Sequence, residues 1–188
     1  VAAELGWLGG TRHAVIEIAA AAGLRLVPPS RRDPTLTSSR GVGELILAAL
    51  DRGAERLLVG CGDSGVNDGG MGMACALGVR FLDADGRPLP EGGGALERLA
   101  AIDASRIDAR LRRVRIDAAV NPEVPLLGPR GVARVYGPQK GATPAQVAQL
   151  ERGLARYAAC LHRRPGPDLA ALPGAGASGG LGLGLGLA

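Results

Sequence analysis

One stretch, "GVARVYGPQKGATP" (131–144), contains the single lysine of a chain with 22 basic residues. Every other basic position is arginine. An ammonium on a flexible stem is a compact point charge that shifts its pKa readily on burial, whereas a guanidinium is a planar fork that stays charged. A site that needs the ammonium would keep Lys140 against a strong arginine bias; coincidence is the plainer reading.

A second set of polar groups lies in "GCGDSGVNDGGMGMACALG" (60–78), where Ser64, Asn67 and Asp68 sit among the six glycines of 60–72. Ser and Asn offer hydrogen bonds, and Asp68 can act as a base or a Mg²⁺ ligand. The glycines let backbone approach a ligand closely. The competing structural reading is that Asn67 and Asp68 cap the helix expected over 69–77.

The same loop contains a decoy. Gly60, Gly62 and Gly65 spell G-x-G-x-x-G after an expected strand, and Asp83 follows about 20 residues later, the layout of a dinucleotide-binding unit. Two features oppose it. Asp63 would set a carboxylate where the amides should cradle a pyrophosphate, and "VNDGG" separates the third glycine from the helix. No G-x-x-x-x-G-K-[ST] loop exists, since Lys140 follows Gln139. A nucleotide-cofactor enzyme built on this loop stays open as an alternative.

These groups need elements to hold them. The apolar run opening "AVIEIAAAAGLRLV" (14–27) predicts a buried strand passing into a short helical turn, and 28–41 reads as loop. A helix is predicted over 39–52, with Ser39 as N-cap and Val42, Leu45, Ile46, Ala49 and Leu50 at helical spacing. "ERLLVG" (55–60) reads as a buried strand. "VRFLDADGRPL" (79–89) reads as strand, turn, strand about Asp85–Gly86. A short helix is expected within 92–103 and another strand at 112–120. The last helix, 144–163, has Thr143 as cap, Pro144 in its first position and Gln146 completing a capping box. Its predicted buried stripe is Val147, Leu150, Leu154, Tyr157 and Leu161. Strand and helix alternate, so the fold class is α/β. Glu17, inside an apolar strand, is expected to meet an arginine or face a cleft, because a buried unpaired carboxylate is costly.

At 188 residues with 46% hydrophobic content, the chain suits one domain with a real core or part of a longer protein. The net charge of +4 comes from scattered arginines, with doublets only at Arg31–Arg32, Arg112–Arg113 and Arg163–Arg164. Trp7, Phe81, Tyr136 and Tyr157 are too few for base stacking, so nucleic acid is not expected as a partner. Small anions suit an arginine-rich chain equally well. Cys61, Cys75 and Cys160 lack disulfide or metal-ligand spacing. No signal peptide or membrane span of about 20 apolar residues is present, which makes the cytoplasm the expected compartment. The chain opens on Val1 and stops in "GASGGLGLGLGLA", whose Gly–Leu alternation is a poor helix former. A fragment of something longer is the expectation.

Five blocks, "IEIAAAAGLRLVP", "RRDPTLTSSRGVGELILAAL", "GDSGVNDGGMGMACALG", "PLLGPRGVARVYGPQKGAT" and "LPGAGASGGLG", occur in one order from about residue 13 to 182. Together they resemble the bacterial glycerate kinase family of the glyoxylate-pathway type. The resemblance implies ATP-dependent phosphorylation of D-glycerate, usually to 2-phosphoglycerate. It implies a chain about twice as long, folded as two α/β domains with the active site between them. In those terms this chain resembles the inserted domain, residues 1–164 carrying the glycine loop and the GPQKGA motif. Residues 165–188 then form a Pro/Gly-rich lead toward the rest of a Rossmann-like partner domain largely absent here. The family's opening "PDSFK"-type and closing "TGEG…D" motifs are not found.

The resemblance also fixes departures. Against a family loop of about G-G-S-A-T-N-D-G-G, Ser64, Asn67 and Asp68 match, while Asp63, Gly65 and Val66 differ. Against "CDVTNPL", Asn121 takes an Asp position and Val124 an Asn position, so a non-catalytic relative that binds a small hydroxy acid is an alternative function. The expected site has Asp68 and Lys140 as catalytic residues, Asp68 doubling as the Mg²⁺ ligand. Arg40, Ser64, Asn67, Asn121 and Gln139 bind substrate, and Gly60, Gly62, Gly65, Gly69 and Gly70 form the loop. The cofactors are ATP and Mg²⁺. Arg40 pairs with a carboxylate or phosphate and Lys140 supplies the point charge; the plainer readings are a solvated first-turn arginine and a surface lysine. Glu44 also falls in a matching block. Oligomeric state is not legible.

Overall fold

The computed structural model describes residues 1–120, 124–163 and 168–186. It is a mixed α/β fold. A four-stranded sheet runs in the order β1 (Gly6–Trp7), β2 (His13–Glu17), β3 (Arg56–Cys61), β6 (Arg115–Val120), with β2, β3 and β6 parallel and β1 an antiparallel edge. A separate antiparallel pair joins β4 (Arg80–Leu82) to β5 (Ala101–Asp103). The helices are α1 (Ala19–Ala22), α2 (Arg40–Asp51), α3 (Met71–Ala76), α4 (Val132–Tyr136), α5 (Pro144–His162) and α6 (Ala177–Leu185).

Alternation along the strands divides the sheet into two unlike faces. Ile16, Leu57 and Val59 are fully buried under α2, α3 and α6, forming one core with Val42, Ile46 and Ala49 of α2. On the opposite face Glu17, Arg56, Leu58 and Ala119 are exposed. Glu17 thus avoids the cost of burial by lying exposed on the open side of the sheet, with no arginine ion pair among the described residues.

A second core lies beyond α3 and α6, where Leu150, Leu154, Tyr157 and Leu161 of α5 pack on Phe81, Leu96 and Leu99. Phe81 and Tyr157 meet edge to face with ring centroids 5.3 Å apart, a favoured aromatic geometry. Met71 and Met73 point into different cores, as do Leu183 and Leu181, so α3 and α6 form a middle layer.

Most predicted elements appear within a residue or two of their expected bounds. Ser39 sits at the N-cap position of α2 but makes no capping bond; its hydroxyl is used elsewhere. The hairpin expected over 79–89 is reduced to a turn and a bridge between Leu82 and Pro88, and β4 pairs instead with β5, which was not predicted as a strand. The short helix expected within 92–103 is a 3₁₀ segment, Gly93–Arg98. Val147 is only partly buried. The largest correction concerns the Gly–Leu run, which forms the helical part of α6. Intrinsic propensity is overridden because Leu181 and Leu183 are buried while the absent side chain of Gly184 lets α6 touch the glycine loop. A Cβ there would lie 2.8 Å from Gly69 O and Gly70 Cα. No helix among the described residues is long and apolar enough to cross a membrane.

Candidate active site

The parallel strands end together at Glu17, Cys61 and Val120, and ligands of open α/β sheets bind beyond such ends. A cavity of about 190 Å³ lies there. Its walls come from the loop after β3 (Cys61, Gly62, Asp63, Ser64), from α4 and the turn that follows (Tyr136, Gln139, Lys140), and from the entry to α6 (Ser178, Gly179).

Lys140 closes the 3₁₀ turn Pro138–Lys140, and Gly141 at φ +96° reverses the chain after it. The side chain turns inward, leaving the residue 3% exposed. Its Nζ donates to Ser64 Oγ at 2.9 Å and to Val66 O at 2.7 Å. Both acceptors are neutral, and no carboxylate among the described residues lies within ion-pair distance of the ammonium. Burial pushes its pKa down to about 8, opposed by the more distant Asp68 charge. Below that pH the fold holds a desolvated cation without a counterion, an arrangement that costs stability unless an anion joins it.

Asp68 is fully buried and does not line the cavity. Its Oδ2 accepts from Ser39 N (2.9 Å), Ser39 Oγ (2.8 Å) and Gly72 N (3.1 Å), and its Oδ1 accepts from Gly70 N (3.1 Å). Burial raises its pKa and these donors pull it back. Ser39 Oγ in turn accepts from Met73 N at 2.9 Å, so Asp68 and Ser39 together stitch the first turn of α3 to the start of α2.

The other expected residues divide. Ser64, Gln139 and Lys140 share the cavity wall. Arg40 does not reach it: its Nε donates to Glu91 Oε1 at 2.6 Å, and Glu91 also accepts from Ser38. Glu44 is exposed near Arg40. Asn67 is fully buried, and neither its amide oxygen nor its nitrogen has a partner among the described residues. Such an orphaned amide is a cost of roughly 1–3 kcal/mol per group. Asn121 lies outside the described residues; Val124 is on the cavity wall. Within the loop, Gly60 belongs to β3, Gly62 is on the wall, Gly65 packs on Leu24, and Gly69 and Gly70 hold positive φ before α3. Asp83, the ribose candidate of the dinucleotide reading, accepts from Asp85 N and Arg87 N in the β4 turn, away from the parallel strands.

Sequence reasoning passed over four contributors: Ser39, Cys61, Tyr136 and the Ser178 turn. Burial pushes the Cys61 thiol up to about 11, so it is a neutral wall group. Among the described residues only Asp63 (φ +49°) and Ser178 (φ +53°) are non-glycine residues with left-handed backbone, and both line the cavity. The signal available for Ser178 was its place among glycines in "GAGASGGLG". A divalent cation would find no group of three acidic, His or Cys ligands among the described residues. Among the described residues Asp63 is the one carboxylate on the wall, which suits Mg²⁺ carried on phosphate oxygens and waters with a single protein ligand.

The glycerate kinase family model matches residues 1–188. A glycerate kinase of Bacillus subtilis strain 168 is 50% identical over 97% of the chain, and the glycerate 2-kinase of Escherichia coli strain K12 is 46% identical over 97%. A crystal structure from Salmonella typhimurium LT2, assigned as glycerate kinase 2, superposes with a TM-score of 0.95 at 48% identity, covering 98% of this chain and 50% of its own. The chain spans 48% of the length of each of these two curated relatives.

Proposed function

The chain belongs to the glycerate kinase family, and we propose that the protein carrying it transfers the γ-phosphoryl group of ATP to the 2-hydroxyl of D-glycerate, releasing ADP, 2-phosphoglycerate and, to solvent, the hydroxyl proton. The observation that carries this reading is Lys140, a buried ammonium on the wall of a strand-end cavity with no carboxylate partner among the described residues. Both substrates are oxyanions that would neutralise it. Names of relatives that are glycerate kinases support the same choice.

Phosphoryl transfer asks a protein for alignment and for charge stabilisation rather than covalent chemistry. In our proposal the Lys140 ammonium supplies the charge, held in place by Ser64 and the Val66 carbonyl. Ser64 and Gln139 orient substrate oxygens. Mg²⁺, when bound with ATP, would shield charge on the transferring phosphate, and Asp63 is the residue we propose to hold it. The sequence-level expectation made Asp68 proton acceptor and Mg²⁺ ligand; we propose instead that it is a positioning residue, since it is fully buried and holds four donors. Asn67, beside it in the loop, would act through the loop's shape. We assign Arg40 no substrate contact in this proposal, because its Nε donates to Glu91 Oε1 and it does not line the cavity.

We also propose the two-domain arrangement. Parallel sheets are ordinarily covered on both faces, and here one face of β2, β3 and β6 is open. The relatives supply about as much chain again.

The test is ADP release by the protein with D-glycerate and MgATP. Glycerate-dependent ADP with 2-phosphoglycerate as product supports the reading. A folded, full-length protein that binds glycerate and releases no ADP would replace it with a binding function. NADH binding is not expected, because α3 starts at Met71, well past Gly65.

A further inference from the structure

We propose that the left-handed turn Ser178–Gly179–Gly180 is an oxyanion cradle, in which the N–H groups of Ser178 and Gly179 hold a carboxylate or phosphoryl oxygen against Lys140. The proposal rests on the kinase reading of the same cavity and adds to it a binding element outside the glycine loop and the GPQKGA motif.

Three successive residues have left-handed dihedrals: Ser178 (φ 53°, ψ 45°), Gly179 (77°, 25°) and Gly180 (89°, 8°). Such a run is one turn of left-handed helix. As at any helix start, its first N–H groups have no acceptor inside the turn, and successive N–H groups in tight turns form anion-binding concavities. Gly180 N donates to Gly176 O at 3.1 Å, but the N–H groups of Ser178 and Gly179 have no acceptor among the described residues. Gly179 is buried, where an unpaired backbone donor is rare. Both residues line the cavity.

The independent observation is the cation beside them. Val66 O accepts from Lys140 Nζ at 2.7 Å, and a Cβ on Gly179 would lie 2.1 Å from that same oxygen. The turn and the ammonium therefore meet at one carbonyl. Two N–H groups without an acceptor and a cation without a carboxylate partner, both among the described residues, belong to residues lining the same cavity, and an oxyanion held there would serve all three. Asp63 is the carboxylate that also lines this space, and it is exposed; a divalent cation accompanying a phosphate would offset it.

The test is an amide ¹H–¹⁵N titration of the protein with D-glycerate, ADP and inorganic phosphate, each separately. The expected result is a saturable downfield shift of the Ser178 and Gly179 amide protons with at least one ligand. A response to glycerate alone assigns a carboxylate; a response to ADP or phosphate assigns a phosphoryl group. Lys140→Met should weaken the responding ligand about tenfold or more, as expected for loss of a charge-assisted hydrogen bond. Ser178→Gly keeps both N–H groups and suits the positive φ, so the shifts should persist. Binding that moves the Ser64 or Gln139 signals but leaves both amides still would overturn the cradle and spare the kinase reading. Failure of glycerate and ADP to bind, with phosphate still moving the amides, would sink the kinase reading and spare the cradle.

Discussion

The ammonium of Lys140 donates to Ser64 Oγ at 2.9 Å across a sequence separation of 76 residues. This one contact joins the turn after α4 to the loop after β3, and so brings the lone lysine and the glycine loop to one cavity. It gives the lysine a use that arginine serves less well: a compact ammonium donates to both Ser64 Oγ and Val66 O, whereas the donors of a guanidinium diverge in a plane.

Lys140→Arg is therefore expected to fold and to lose turnover by two orders of magnitude or more, about 3 kcal/mol of transition-state stabilisation. Circular dichroism together with glycerate-dependent ADP release checks it. Wild-type turnover in the folded variant would return Lys140 to a structural role.

The depressed pKa of Lys140 makes stability depend on pH in a definite direction. In the unfolded chain the amine titrates near 10.5 and in the folded protein near 8. Between those values the unfolded state binds the extra proton, so this residue's contribution to stability rises with pH from about 8 to 10.5 and is flat and unfavourable below 8. The unfolding free energy of wild type minus that of Lys140→Met should grow by up to about 3 kcal/mol across the window. Oxyanion affinity should move the opposite way, weakening above about pH 8 as the ammonium deprotonates. A difference that stays constant with pH would mean the amine is solvated.

Asp68 and Ser39 are expected to matter for stability first. Ser39→Ala leaves Met73 N without its acceptor and removes a donor to Asp68. Asp68→Asn cannot accept four donors. Each change should destabilise by about 1–3 kcal/mol, measured by urea unfolding. An Asp68→Asn protein of unchanged stability and turnover reduced a hundredfold would restore Asp68 as proton acceptor.

Gly179→Ala should be among the most damaging single-methyl additions, because it combines φ +77° with a 2.1 Å approach to Val66 O. A loss of at least about 2 kcal/mol is expected. Gly62→Ala, on the same cavity wall, has ordinary φ and open space within 4 Å, and should cost far less. Equal Tm values for the two variants would contradict the packing of the α6 turn on the loop.

Local rules made much of the fold legible. The start of α5 needed only Thr143, Pro144 and Gln146, because a capping box is closed within four residues; both of its hydrogen bonds are present. The stripe of α2 follows from helical periodicity and β3 from its short apolar run, although only one face of that strand, Leu57, Val59 and Cys61, is buried. The composition of the glycine loop and the solitary lysine drew attention to two segments that share the cavity wall, and the family blocks, read together, pointed to the family whose model the chain matches.

Tertiary structure decided everything that depends on which distant groups meet. Whether Lys140 is a surface charge or a desolvated one turns on Ser64 and Val66. Whether Ser39 caps its own helix or bridges to α3 turns on Asp68. Whether a Gly–Leu run is helical turns on the backbone it packs against. Caps and periodicities are settled by neighbours along the chain, so sequence by itself determines them. Burial of a charge, the partner of a hydroxyl and the room left by a missing Cβ are long-range quantities, and only the assembled layers of sheet, α3 and α6 fix them.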